Sequence, residues 1–118
     1  MDMPEFENTI SEALEKIPDN FKKILEEKEI SILGREKVPE PVKKRFKGAV
    51  VFGIFIGIPY GRFFSVQTEP TRIELYKESF EKVFGSAEQM KEQIARTVVH
   101  EIAHYFGFSE TEIRKSGF

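Results

Sequence analysis

The 118-residue sequence contains no cysteine, no tryptophan and only two histidines. Without cysteine the chain can form no disulfide bond, offers no thiolate metal ligand and has no cysteine nucleophile. Such a composition is compatible with a reducing compartment. The first seven residues are acidic and lack the basic and apolar regions of a secretory signal, so we expect a cytoplasmic protein.

Long hydrophobic runs and a large excess of one charge are absent too. The longest apolar stretch, residues 49–58, is far shorter than the roughly 18 residues of a membrane span. The net charge is −2, with 18 basic and 20 acidic residues. The densest basic cluster, residues 43–47, is more typical of a solvated loop or strand entrance than of a phosphate-binding patch. We therefore expect no membrane and no nucleic-acid partner.

The composition that remains predicts one folded domain spanning residues 1–118, since 40% of the residues are hydrophobic and 12 are Phe. Apolar periodicity and turn residues divide this domain into helices and strands. The predicted elements are helices at 5–16 and 19–27, a strand at 29–33, a loop at 34–41, a strand at 48–59, a turn at 60–62, strands at 63–68 and 72–77, a long helix at 87–106 and a short helix from 109 to 115.

Two of the predicted strands differ in the environment that they imply. Residues 48–59 are rich in Val, Ile and Phe, which is typical of a strand buried on much of both faces. Gly53 and Gly57 inside it indicate a bulge, a close approach by another backbone or a ligand, or simple packing against a helix. Residues 72–77 alternate apolar with polar side chains, which indicates a half-exposed strand.

The last third of the chain has the clearest helix signals. Residues 87–106 contain no Gly or Pro, and their apolar side chains cover the broad arc of a helix buried on most sides. Ser86 is a candidate N-cap residue. Gly107 supplies the left-handed conformation that ends such a helix. Ser109 and Glu112 then have the spacing of a capping box, which predicts the start of another helix.

Both histidines lie in one motif, His100-Glu101-Ile102-Ala103-His104. Residues four apart share a helix face, so both imidazoles can reach one metal at the roughly 2.0–2.1 Å of a Zn–N bond. Glu101 points about 100° around the helix, at the border of that face. Its position therefore suits a general base that accepts a proton better than a direct metal ligand. Its apolar neighbours indicate a buried carboxylate, which needs a partner.

A third ligand is expected at Glu110. Gly107 lets the chain turn back, and the start of the following helix favours a carboxylate. Glu112 is the alternative ligand, although it suits the capping box better. Three protein ligands leave one position open, as in catalytic zinc sites, whereas structural sites have four. We therefore expect one zinc ion per chain, although the same donors also suit iron, cobalt and nickel.

A site of this kind is suited to hydrolysis. Zinc lowers the pKa of bound water and polarises a carbonyl oxygen, while Glu101 takes a proton from water and returns it to the leaving amine. A further donor to the developing oxyanion is expected. The candidate donors, for each of which a structural role is the simpler interpretation, are Tyr60, Arg72, Tyr76 and Tyr105.

Four segments in order resemble the minimal zincin-like metallopeptidases, short bacterial proteins with a His-Glu-x-x-His-x-x-Gly-x-x-Asp type of motif. The segments are FENTISEALEKIP at 6–18, FGIFIGIPYG at 52–61, PTRIELYK at 70–77 and RTVVHEIAHYFGFSE at 96–110. The resemblance implies an α+β fold, with a small twisted sheet packed on the metal-binding helix, and a peptide or protein substrate. By position it implies His100, His104 and Glu110 as ligands and Glu101 as base.

Two departures from the wider pattern stand out. The family commonly has Asp where this chain has Glu110, which is one methylene longer. The eight residues after Glu110 include no Met, so the methionine turn of the larger metzincins is not expected.

Two other functions stay open from the sequence. Small bacterial endoribonucleases carry His-x-x-x-His-x-x-Gly motifs with a later third His, but here a Glu follows the first His, no third His exists and the charge balance is slightly acidic. The other function is a non-catalytic, metal-stabilised domain that binds a protein partner through an exposed strand edge near residues 72–76.

Overall fold

The structure, a computed structural model, describes residues 1–57, 60 and 71–115. The predicted strand at 63–68 and most of the predicted turn at 60–62 lie outside the described residues. The described part has the predicted α+β architecture. Its elements are α1 (Met3–Glu15), α2 (Asp19–Glu27), β1 (Ser31–Arg35), α3 (Glu40–Arg45), β2 (Gly53–Ile56), β3 (Arg72–Tyr76), α4 (Lys77–Val83), α5 (Ala87–Tyr105) and α6 (Glu110–Lys115).

The first two helices confirm the predicted pair, and the strand after them begins later than predicted. After the end of α2, Glu29 has a left-handed conformation, with φ of 55°. The Ile30 N–H donates back to the Leu25 carbonyl at 2.9 Å, which closes the helix end. The strand therefore occupies 31–35 instead of 29–33, because the closing turn takes up the residues in between.

Among the described residues, the sheet has the order β1-β3-β2, with β3 between the other two strands. β3 runs parallel to β1 and antiparallel to β2. Two strand predictions are thereby corrected. Residues 72–77 were expected to be half exposed, yet four of the five residues of β3 are buried. Residues 48–59 were expected to be buried on much of both faces, yet in the described part of the chain the strand is short and half-buried, at Gly53–Ile56.

An internal ion-pair network explains why the polar residues of β3 are buried. The Glu74 side chain is only 2% exposed and accepts from Arg35 Nε at 2.7 Å and Arg72 Nε at 3.0 Å. The Tyr76 hydroxyl donates to the other carboxylate oxygen at 2.9 Å. Burial by itself raises the pKa of Glu74, but these hydrogen bonds outweigh it and hold the pKa below its usual value. The polar residues that alternate along β3 are therefore paired with other groups inside the protein and are not exposed to solvent.

The helices α1 and α5 pack together against the sheet and bury Ile73 and Leu75 completely. At Gly53 of β2, an added Cβ would lie 2.9 Å from the Glu74 carbonyl oxygen and 3.3 Å from Thr97 Cγ2 of α5. Of the interpretations given for this glycine, both the close approach by another backbone, at Glu74, and the packing against a helix, at Thr97, agree with these contacts. The absence of a side chain here lets α5 lie directly beside β2, which positions the motif helix.

Two short helices were missed by the sequence reasoning. The loop predicted at 34–41 ends in α3, whose first turn contains Pro41, a position where proline is tolerated. The basic cluster at 43–47 therefore lies largely in the last turn of a helix, not in a loop or strand entrance. α4 follows β3 without a break, and seven residues are too few to show a clear periodicity. Among the described residues, no helix has the length and apolar character to cross a bilayer.

Candidate metal centre

The motif helix α5 begins as predicted, because the Ser86 hydroxyl oxygen accepts from the Gln89 N–H at 3.1 Å. One face of the helix enters the hydrophobic core, and the motif histidines lie on a half-buried face. The buried residues of α5 are Met90, Ile94, Val98, Ile102 and Tyr105. The core therefore fixes the rotation of the helix, and that rotation presents both imidazoles at the surface.

A sharp turn after α5 brings the next helix back beside the histidines. Gly107 has φ of 87°, and its N–H donates to the His104 carbonyl at 3.0 Å. The Phe108 N–H donates to the Ala103 carbonyl at 3.0 Å, which completes a Schellman motif. The predicted helix end at Gly107 is confirmed.

The start of α6 confirms the predicted capping box. The Ser109 N–H donates to Glu112 Oε1, and the Glu112 N–H donates to Ser109 Oγ, each at 3.2 Å. This reciprocal pair sets the direction of α6, so that Glu110, one residue into it, faces the histidines. Ile113 anchors the short helix in the core, with 3% of its surface exposed.

Three of the predicted site residues converge at this point. Oε1 of Glu110 lies 2.9 Å from His100 Nε2 and 2.8 Å from His104 Nε2. One potential ligand atom from each of the three residues lies within 4.8 Å of the others. The hydrogen bond with His100, with His104 adding to it, holds the pKa of Glu110 below its usual value. The side chains are 30%, 32% and 52% exposed for His100, His104 and Glu110, so the cluster is open to solvent.

The donor set fits a divalent metal ion. Two imidazole nitrogens and one carboxylate oxygen are an established zinc ligand set, with an open fourth position. Ligand atoms about 2.0 Å from a tetrahedral centre lie about 3.3 Å apart. The two separations between Glu110 Oε1 and the imidazole nitrogens, 2.8 and 2.9 Å, are hydrogen-bond distances a few tenths of an ångström shorter than that spacing. The same donors also suit iron.

Glu101 lies beside this cluster without joining it. Burial raises the pKa of the Glu101 carboxyl to about 7, and the negative charge of Glu110 adds to the rise. A carboxyl with a pKa near neutrality can both take up and release a proton at ordinary pH. The environment of Glu101 is therefore suited to general acid–base chemistry.

A groove of about 460 Å³ extends from the cluster along α5. His100 and Glu101 line one end of the groove, and residues of the segment 46–54, which includes the first two residues of β2, form its opposite wall. Gln93, Arg96 and Thr97 line the helix side, and the sequence reasoning had not singled them out. Thr97, Arg96 and Gln93 precede His100 by three, four and seven residues, so they occupy neighbouring positions on one helix face. This helical spacing is the sequence signal that could have identified them.

The four candidate oxyanion donors occupy two regions. The Tyr76 hydroxyl and the Arg72 guanidinium both donate to Glu74 inside the sheet, which gives them the structural role. Tyr105 is 3% exposed, and its carbonyl accepts from the Tyr60 N–H at 3.0 Å near the end of α5. The strand edge proposed as a partner site near residues 72–76 is ruled out, because both edges of β3 are paired with neighbouring strands.

Comparisons with known proteins agree with this geometry. The sequence profile of the zincin-like metallopeptidase family matches residues 25–117. No curated protein matches the chain. Among solved structures, a conserved hypothetical protein from T. thermophilus is similar at 24% identity with a TM-score of 0.60, over 88% of this chain and 92% of that one. At this identity the similarity shows a shared fold.

Proposed function

The chain belongs to the zincin-like metallopeptidase family, and on that premise we propose that it hydrolyses peptide bonds with one zinc ion held by His100, His104 and Glu110. Membership of the family implies a metal, usually zinc, and a protein or peptide substrate. Glu101 is proposed as the general base.

The convergence of three ligand atoms is the observation that carries this proposal. Glu110 is ten residues beyond His100 in sequence, yet its carboxylate oxygen lies between the two imidazoles. Outside a metal site, two histidines facing one exposed carboxylate would contribute little to stability. A turn and a capping box that together direct Glu110 to this point therefore support a metal-binding role.

The residues of the chain divide the chemistry between them. Zinc, when bound, polarises a substrate carbonyl and lowers the pKa of water. The Nε2 atoms of His100 and His104 and the Oε1 atom of Glu110 would hold it. The Glu101 carboxylate accepts a proton from the attacking water and delivers it to the leaving amine nitrogen. A nearby cation favours the charged form of Glu101, so its pKa in the loaded protein falls below the value of about 7 found here.

The sheet supplies a surface for an extended substrate. β2 is an edge strand, and among the described residues no strand pairs with its outer side. Extended peptides bind such edges through main-chain hydrogen bonds. Because the groove passes between β2 and α5, a peptide on this edge would lie across His100 and Glu101.

Metal content and hydrolysis, measured together, test the proposal. We expect metal-stripped protein to bind one zinc per chain by mass spectrometry, and the loaded protein to cleave members of a mixed peptide library but not RNA. Glu101→Gln should keep the zinc stoichiometry and lower kcat by about 10²–10⁴, the usual contribution of a general base. Full activity of this variant would contradict the base assignment.

The two alternative functions have their own signatures in the same experiment. If RNA were cleaved and the peptides stayed intact, the protein would be a ribonuclease instead. Zinc binding without hydrolysis of either substrate would leave a metal-stabilised domain as the function.

A further inference from the structure

We propose that Arg96 determines specificity by binding a carboxylate of the substrate about two residues from the scissile bond. The inference rests on the proposed peptidase function and adds a substrate class to it, namely peptides with an acidic residue at one defined position. Four observations on the groove support it.

Arg96 and His100 lie one helical turn apart on the same face of α5. Four residues of helix separate them by about 6 Å along the axis. Both line the groove that begins at Glu101. A substrate whose carbonyl group lies at the cluster and whose chain follows the groove therefore passes the guanidinium.

The guanidinium is available for a ligand. The Arg96 side chain is 52% exposed, and its ion pair with Glu92 is long, at 3.8 Å, with Glu92 itself 64% exposed. Exposed pairs of this kind contribute little, about 0–1 kcal/mol. Arg96 can therefore exchange Glu92 for a substrate carboxylate at small cost.

The charge of the groove favours an acidic ligand at this end. Among the described lining residues, Arg96 is the one Arg or Lys, and the opposite wall is apolar. The wall residues Phe46 and Val50 also line a neighbouring cavity, which Lys43, Lys82 and Glu78 border. Counted with Arg96 and its exposed partner Glu92, these residues leave a small excess of positive charge on this side of the groove.

The spacing assigns the position in the substrate. An extended peptide advances about 3.3 Å per residue, so about 6 Å along the groove corresponds to about two residues. The planar guanidinium can bind a carboxylate through two parallel hydrogen bonds, which a lysine cannot do. The side chain of Asp or Glu would satisfy this geometry.

The experiment has a cleavage arm and a binding arm. In the cleavage arm, the zinc-loaded protein is given a peptide library, which should show enrichment of Asp or Glu about two residues from the cleaved bond. In the binding arm, the zinc-loaded Glu101→Gln variant is titrated calorimetrically with a cleaved sequence and with its amide counterpart, Asn or Gln. We expect the acidic peptide to bind about three- to tenfold more tightly.

Variants of Arg96 connect this preference to the guanidinium. In the same Glu101→Gln background, Arg96→Gln should bind the two peptides within twofold of each other, and Arg96→Lys should recover part of the preference. Lys91→Gln is the matched control, because Lys91 lies on the same helix and lines the cavity between α1 and α5, which Arg96 also borders, but does not line the groove. Its preference should be unchanged. Equal zinc affinity and equal thermal midpoints across the variants show that the fold is intact.

The outcomes separate this inference from the proposed function. Peptide cleavage without acidic enrichment, or an acidic preference that persists in Arg96→Gln, overturns the role of Arg96 and leaves the peptidase function standing. A library in which no peptide is cleaved overturns the peptidase function, and the role of Arg96 with it.

Discussion

Two acidic residues at the start of α6, only two positions apart, have different surroundings. Glu110 faces His100 and His104, whereas Glu112 turns back to the Ser109 N–H and caps the helix. A carboxylate one methylene longer than the aspartate common in the family reaches both imidazoles. The different hydrogen-bond partners of the two carboxylates favour Glu110 over Glu112 as the third ligand.

Alanine substitutions should separate the two carboxylates. In Glu110→Ala the zinc dissociation constant should rise by more than about 100-fold, because even loss of an outer-shell partner costs about 10- to 100-fold. Glu112→Ala is the matched control: it should lower helix stability slightly and leave zinc affinity within a few-fold. Isothermal titration with zinc measures both. Unchanged affinity in Glu110→Ala would transfer the ligand role to Glu112 or to water.

Glu74 predicts a pH dependence of stability that is independent of the metal centre. Its pKa is lower in the folded protein than in the unfolded chain, so its contribution is complete above the unfolded value of about 4.3 and is lost as the pH falls through the folded value. The free energy of unfolding should therefore decrease below about pH 4, measured by urea denaturation of metal-free protein.

The Glu74→Gln variant is the test of this assignment. Without the charge, Arg35 and Arg72 lose their shared partner, and we expect destabilisation of about 2 kcal/mol at pH 7. The decrease of stability between about pH 5 and pH 3 should become shallower in the variant. An equally steep decrease would place the acid sensitivity in other carboxylates.

At the scale of elements, α5, the turn at Gly107 and α6 act as one unit that assembles the metal site. The backbone of Gly107 is left-handed, and open space surrounds the position that a Cβ would occupy. The only cost of a side chain here is therefore conformational. A change in the backbone of Gly107 would also shift the position of Glu110, because the turn sets where α6 begins.

Gly107→Ala should destabilise the protein by about 1 kcal/mol and weaken zinc binding in addition. Gly85→Ala is the matched control, because Gly85 has equally open surroundings and no left-handed backbone. Urea unfolding and zinc titration of both variants measure the effects. If the two substitutions had equal effects on zinc affinity, the conformation of Gly107 would have no part in building the site.

At the scale of the whole molecule, the hydrophobic core and the metal site are separate. The core cluster joins α1, α5 and the sheet through residues such as Phe6, Ile73 and Leu75. The two histidines and Glu110 are outside it. We therefore expect the fold not to depend on the metal in the way that a zinc finger does.

Removal of the metal should leave the protein folded but less stable. After chelation with EDTA we expect an unchanged far-ultraviolet circular dichroism spectrum and a cooperative thermal transition. Zinc at about 100 times its dissociation constant should add about 2.7 kcal/mol, which raises the midpoint by about 10 °C. Collapse of the secondary structure on chelation would show that the site is structural.

The predictions that succeeded rest on short-range signals. The cap at Ser86, the left-handed Gly107 and the Ser109–Glu112 box each involve residues within a few positions of one another, so the sequence contains both partners. The His-Glu-x-x-His spacing determines a helix face for the same reason. The proposed ligands, the cytoplasmic location and the single-domain organisation stay predictions.

The predictions that failed depend on partners distant in sequence. The alternation in β3 suggested exposure, because the sequence does not reveal that Arg35, 39 residues away, pairs with Glu74. The role of Arg96 in the groove likewise requires the segment 46–54 as an opposite wall. Local hydrogen bonds and side-chain spacing thus determined α5, its end and the presence of a metal motif. Long-range packing decided which of the described strands lies between the other two, which polar groups are buried and which segments line the groove, since these depend on contacts that no local pattern encodes.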